Sequence, residues 1–277
     1  MSPAATELPV RRVTAVLDAG GPSGHVLQVA AELAARLHVE VQAVQIEDAN
    51  LLRLSELGIA RMVSLFDAAR PLLPGEAAAS FARLAADAQA ALKSAAQALG
   101  LAWSFQVLHG DLAESVGPGE LLVIHFPRQA LAVDQRFVAS IWTATAGRAA
   151  GVMLVDRRPV RPAPAVLITE RSDAGTRALQ VAASLPRADS THLDVLLAAP
   201  AGKADATERW VRELLRAAGR RAHVLPLNDC AVDTVTQAAR HARSGILAMP
   251  ADTPCLIEPG QLAELLDKAE CALLLLR

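Results

Sequence analysis

From Val13 onward the chain alternates short aliphatic runs with stretches of helical periodicity, and it does so twice. The first pass opens with Val13-Thr14-Ala15-Val16-Leu17, an apolar run that stops at Asp18-Ala19-Gly20-Gly21-Pro22. Such a run, without polar alternation, predicts a strand buried on both faces of a parallel sheet. Val26, Leu27, Ala30, Leu33, Ala34 and Leu37 then recur at helical spacing behind Ser23, a residue suited to cap the helix. A second strand is predicted over 39–46, a long helix over 78–99 with Phe81, Leu84, Ala88, Leu92 and Ala95 on its inner stripe, and a strand over 103–108. A short helix over 112–116, a strand over 121–124, a helix over 134–146 and a strand over 152–155 complete the pass. Consecutive parallel strands need right-handed helical crossovers, so this order predicts a doubly wound sheet.

The order then restarts. Strands are expected over 165–169, 192–197, 222–227, 245–249 and 271–276, with helices over 173–185, 206–218, 232–242 and 261–269 between them. A repeat of about 115 residues implies two copies of one unit. The expected fold is therefore two tandem doubly wound five-stranded parallel sheets, with domains at 11–156 and 165–277. Residues 157–164, with three prolines and three arginines, read as a semi-rigid, solvated linker. Only the first copy carries an insertion, 47–77, whose leucines around 51–57 suit either a partner-binding element or a lid over its own sheet.

Composition narrows the function. Alanine makes up about a fifth of the chain, while there are five Phe, three Trp and no Tyr. That favours close helix packing over aromatic ligand cages or base-stacking surfaces. The net charge of −2 gives no basic footprint, so no nucleic-acid partner is expected. Three cysteines (Cys230, Cys255 and Cys271) show no Cys-x-x-Cys spacing and argue against a disulfide framework or a zinc site. No apolar stretch approaches the ~20 residues of a membrane helix, and the first residues lack the apolar core of a signal peptide. A cytoplasmic, non-membrane protein is expected.

Several short motifs fall at matching places in the two copies. Leu17-Asp18 and Thr169-Glu170 open the turn after the first strand of each. Arg177-Ala178-Leu179 stands in the second copy's first helix, where the first copy has Val26-Leu27. Gly110-Asp111-Leu112-Ala113-Glu114 follows the first copy's third strand, where the second has Asn228-Asp229. Ala269-Glu270-Cys271-Ala272-Leu273 leads into the last strand. In order and spacing, each half resembles a universal stress protein domain, and the resemblance extends from Arg12 to Arg277. It implies the flavodoxin-like/adenine nucleotide alpha hydrolase-like fold, pairing of domains through edge strands as an intramolecular pseudo-dimer, a possible homo-oligomer, and a role in stress response.

The resemblance also points to what is missing. ATP-binding members carry a Gly-x-x-Gly loop after the fourth strand and a later Gly-Ser or Gly-Thr, so that backbone can approach phosphates. The corresponding residues here are His125, Arg128, Val138 and Ala139 in the first half and Pro250, Thr253, Ala263 and Glu264 in the second. Every glycine is replaced. Neither half is expected to bind ATP in the family's usual way, and no cofactor is expected.

Three readings of function follow. The leading one is a non-catalytic regulatory or scaffolding protein acting on an unknown protein partner or small ligand. Another is a nucleotide-binding module with a divergent pocket at the ligand edge of the first sheet, formed by Asp18, Ile46, Gly110, Asp111 and His125. By the resemblance, Asp18 stands where relatives hold adenine; alternatively it only hydrogen-bonds its own turn. The last is a hydrolase in which His109, Asp111 and His125, taken to end adjacent strands, converge for acid/base or metal chemistry. Gly20-Gly21-Pro22-Ser23-Gly24 fits neither a phosphate loop nor a nucleophile elbow. His25, His38, His192, His223 and His241 read as isolated, and no cysteine carries the surroundings of a nucleophile.

Overall fold

The structure, a computed structural model, describes residues 10–18, 23–47, 53, 61–62, 70–71, 75–109, 112–126, 148–185, 191–254 and 261–277. The first half contributes β1 (Arg12–Leu17), α1 (Ser23–Leu37) and β2 (Glu40–Ile46). The insertion adds a two-residue antiparallel ladder of β3 (Arg61–Met62) and β4 (Arg70–Pro71). Then come α2 (Glu76–Leu99), β5 (Trp103–Leu108), the single turn α3 (Leu112–Ser115), β6 (Glu120–His125) and β7 (Gly151–Val155). The second half is β8 (Pro164–Ile168), α4 (Asp173–Ser184), β9 (His192–Leu197), α5 (Ala204–Ala217), β10 (Arg221–Pro226), α6 (Val232–His241), β11 (Ile246–Pro250), α7 (Gln261–Ala269) and β12 (Ala272–Leu276). Of the helix predicted over 51–57 only residue 53 is described, and the helix predicted over 134–146 lies outside the described residues.

The two five-stranded parallel sheets join into one ten-stranded sheet, β10-β9-β8-β11-β12-β7-β6-β1-β2-β5. Within each half the strands are ordered third-second-first-fourth-fifth, and all neighbours are parallel. Among the described residues the seam is the one antiparallel pairing of the large sheet, between the last strands of the halves, with Leu274 opposite Met153 and Leu276 opposite Gly151. Gly151 makes this approach possible: a Cβ there would lie 2.5 Å from the Leu275 carbonyl oxygen.

Burial on both faces explains the unalternating strands. Val13, Ala15 and Leu17 pack on one side with α1, α2, α4 and α5, while Val16, Leu122 and Ile124 pack on the other with α6 and α7. Equivalent helices of the two halves share a face and α1 meets α4 over the seam. The halves are thus related by an approximate two-fold axis normal to the sheet. On α2 the buried residues are Ala77, Phe81, Ala88, Leu92 and Ala96. Leu84, expected inside, is 39% exposed, because α2 lies toward the sheet's outer edge and covers it with only a narrow stripe. Among the described residues, no helix is long and apolar enough to cross a membrane.

Candidate functional site

In an open parallel sheet, ligands bind beyond the carboxyl ends of the strands where the chain order reverses. Here the reversal lies between β1 and β6 in the first half and between β8 and β11 in the second. The residues just past those strand ends form the candidate sites.

In the first half, β1 ends in the exposed Asp18 and β6 ends in the half-buried His125. Register places Val16 beside Ile124, so the two residues close neighbouring strands. His125 is held below its ordinary pKa of 6.5, chiefly by burial; Arg157 and His25 add to the depression, while Asp18 and Asp156 oppose it. Its imidazole is thus neutral at neutral pH. His25, read from sequence as isolated, reaches this site from the first turn of α1. The Nε2 atoms of His25 and His125 are both buried, without a hydrogen-bond partner among the described residues. A polar ligand could satisfy such atoms, and leaving them unmet carries a desolvation cost of about 1–3 kcal/mol each.

The remaining first-half candidates separate from this pair. Ile46 closes β2 and packs, partly buried, into the core of one face. His109, at the end of β5, pairs instead with the buried Glu47 at the end of β2, Nε2 to Oε2 at 2.9 Å. The expectation that His109 and His125 end adjacent strands is wrong: β2 and β1 lie between β5 and β6. Three strand spacings put them about 14 Å apart. Gly110 and Asp111 lie outside the described residues, as do Arg128, Val138, Ala139 and Cys255. Among the described residues no group of three His, Cys, Asp or Glu side chains could hold a metal ion. Cys230 and Cys271 are partly buried and pack against one face of the core.

In the second half the reversal opens a cavity of about 460 Å³ against the start of α4. Ser172 caps that helix, its hydroxyl accepting from the Gly175 amide at 2.9 Å. Arg177, one turn in, directs a buried Nε that has no hydrogen-bond partner among the described residues. Arg277, just beyond β12, lines the same cavity, and burial pushes its pKa down, although arginine remains charged. Neither arginine was a site residue by sequence reasoning. Arg177 registered only as part of a helix motif; its signal was its place on the first helix after a central strand. Just past β11 the chain turns on Pro250 and Thr253. Thr253 is 1% exposed, and its hydroxyl donates to the Pro250 carbonyl at 2.5 Å.

No family model matches the sequence, and no curated protein does. Solved structures do match in fold. A universal stress protein from Archaeoglobus fulgidus DSM 4304 superposes with a TM-score of 0.63 at 12% identity, over 95% of this chain and 96% of the other. The cytoplasmic domain of a prokaryotic cation chloride cotransporter gives 0.56 at 14%, over 96% and 95%. A functionally unknown protein from Pseudomonas aeruginosa PAO1 gives 0.52 at 15%, over 96% and 92%. The fold of this chain is that of a universal stress protein structure matched over nearly its full length.

Proposed function

We propose that this chain is a non-catalytic regulatory or scaffolding protein built from two universal-stress-protein-like domains, 11–156 and 165–277, joined by 157–164. It acts by holding a small ligand or a protein partner, in the cytoplasm and in response to stress, and neither half takes ATP in the family's usual mode. The observation that carries this reading is the turn after β11. A phosphate cradle needs exposed backbone N–H groups and room for oxygen atoms. Here Pro250 supplies no N–H, and the buried Thr253 closes the turn with its own side chain. The separation of His109 from His125 supports the absence of a hydrolytic constellation in the first half. The likeness to a transporter's cytoplasmic domain fits an architecture put to more than one use.

A second reading, a divergent ligand pocket, is favoured by the orphaned nitrogens of His25, His125 and Arg177. Calorimetric titration of the full chain with ATP and magnesium separates the two. The expected result is no saturable binding in the micromolar range. Stoichiometric micromolar binding, weakened by His125→Ala or Arg177→Gln, would overturn the leading reading and establish the second.

A further inference from the structure

To pass from β7 to β8 the chain crosses three strand positions along one edge of the sheet. Because the seam is antiparallel, this edge carries the carboxyl ends of the first half and the amino ends of the second. The crossing segment is seated against the sheet edge. Val160 packs against the core, and the Ala163 carbonyl accepts from the Gly245 amide at 2.8 Å. A Cβ on Gly245 would lie 2.2 Å from the Arg161 carbonyl oxygen, so the segment fits only over glycine.

Beside this seated segment is a cavity of about 500 Å³, a size suited to a small metabolite. Four arginines line it: Arg158 and Arg161 from the crossing segment, Arg240 and Arg243 from the end of α6. Two carboxylates answer two of them. Arg158 pairs with Asp156 at 3.6 Å, and Arg240 with Glu270 at 3.5 Å. The side chains of Arg161 and Arg243 make no ion pair among the described residues, and both residues are exposed to the cavity's solvent. Helices α6 and α7 both end at this rim, and each terminus contributes about half a negative charge. The two termini together offset roughly one guanidinium, so about one net positive charge and two uncommitted forks remain. Arg243 also holds φ 51°, a left-handed conformation that glycine adopts without strain and that costs another residue about 1–2 kcal/mol.

We propose that this junction pocket binds a phosphate group, free or carried by a small metabolite, between Arg161 and Arg243. Forks supplied by two chain segments suit a tetrahedral group with several acceptor oxygens; a planar carboxylate is satisfied by one fork. The pocket lies on the seam and not at either chain reversal; Asp156, which lines it, also bears on His125 across β7. A bound phosphate would tie the crossing segment to α6 of the second half.

The test is a titration of the full chain with inorganic phosphate, glycerol 3-phosphate and succinate at constant ionic strength, which must be fixed because exposed charges are screened by salt. One saturable site for phosphate or its ester is expected, with succinate at least about tenfold weaker. Tighter binding of the ester would identify a metabolite as the source; equal or tighter binding of inorganic phosphate would identify the free ion. Replacing both arginines (Arg161→Ala with Arg243→Ala) should weaken phosphate binding about tenfold or more, while Arg83→Ala on α2 leaves it unchanged. The paired lysine replacements at the same positions preserve charge and removal of the forks alone should still weaken binding, so a folding defect in the alanine variant cannot decide the matter. Absence of saturable phosphate binding, equal affinity for succinate, or loss on Arg177→Gln with none in the junction variants would each overturn the proposal.

Discussion

His125 couples the candidate site to pH. Burial is the largest influence on it and disfavours the imidazolium, with Asp18 opposing and Arg157 reinforcing. A group whose folded pKa lies below its unfolded value makes the folded state bind fewer protons over the interval between them. The contribution of neutral His125 is therefore fully present above 6.5 and is lost as pH falls through the depressed folded value. Urea midpoints measured between about pH 5 and pH 8 should rise with pH across that window, and His125→Gln should flatten the rise. An unchanged slope in the variant would assign the dependence to other groups. This residue was legible as a candidate because it ends an aliphatic run; its neighbour His25 was not, because a position in the first turn of a helix does not reveal which strand end it faces.

Helices and strands were largely readable because their signals are local. Strands β5 and β9 and helix α7 fall on the residues that periodicity predicts, and the other described elements of the large sheet and its helices shift by a few residues at most. Helix α2 shows the limit. Periodicity identifies a face but not its width, and width depends on what lies opposite. Leu92 is fully buried, whereas Leu84, two turns earlier, stands at the rim. Leu92→Ala should therefore cost about 2–5 kcal/mol in denaturant unfolding, with the cavity term included. Leu84→Ala should cost less than about 1 kcal/mol. Similar losses for both would mean that α2 buries the wider stripe read from sequence.

At the scale of the whole molecule, the seam decides whether the chain behaves as one unit or two. Strand β12 is buried between β11 and β7, and at Gly151 the two halves come so close that a Cβ would lie 2.5 Å from the Leu275 carbonyl oxygen. Gly151→Ala places its Cβ against a backbone carbonyl, which a side-chain rotation cannot relieve. A loss of about 1–3 kcal/mol is expected, with the calorimetric and van't Hoff enthalpies of unfolding diverging as the halves uncouple. A single unperturbed transition would show that the seam tolerates the intrusion.

The sequence by itself determined the repeat, the alternation of strands and helices and the parallel character of each half, because each is written in composition or in spacing over a few residues. The tertiary structure decided which strands are neighbours, and with that everything at the sites: that His109 belongs with Glu47 and not with His125, that His25 joins His125, that Arg177 faces a cavity, and that four arginines meet beside the crossing segment. Strand order is set by pairings between segments tens to hundreds of residues apart. No local pattern encodes those distances; the joint burial of both sheet faces and the close approach allowed at Gly151 and Gly245 do.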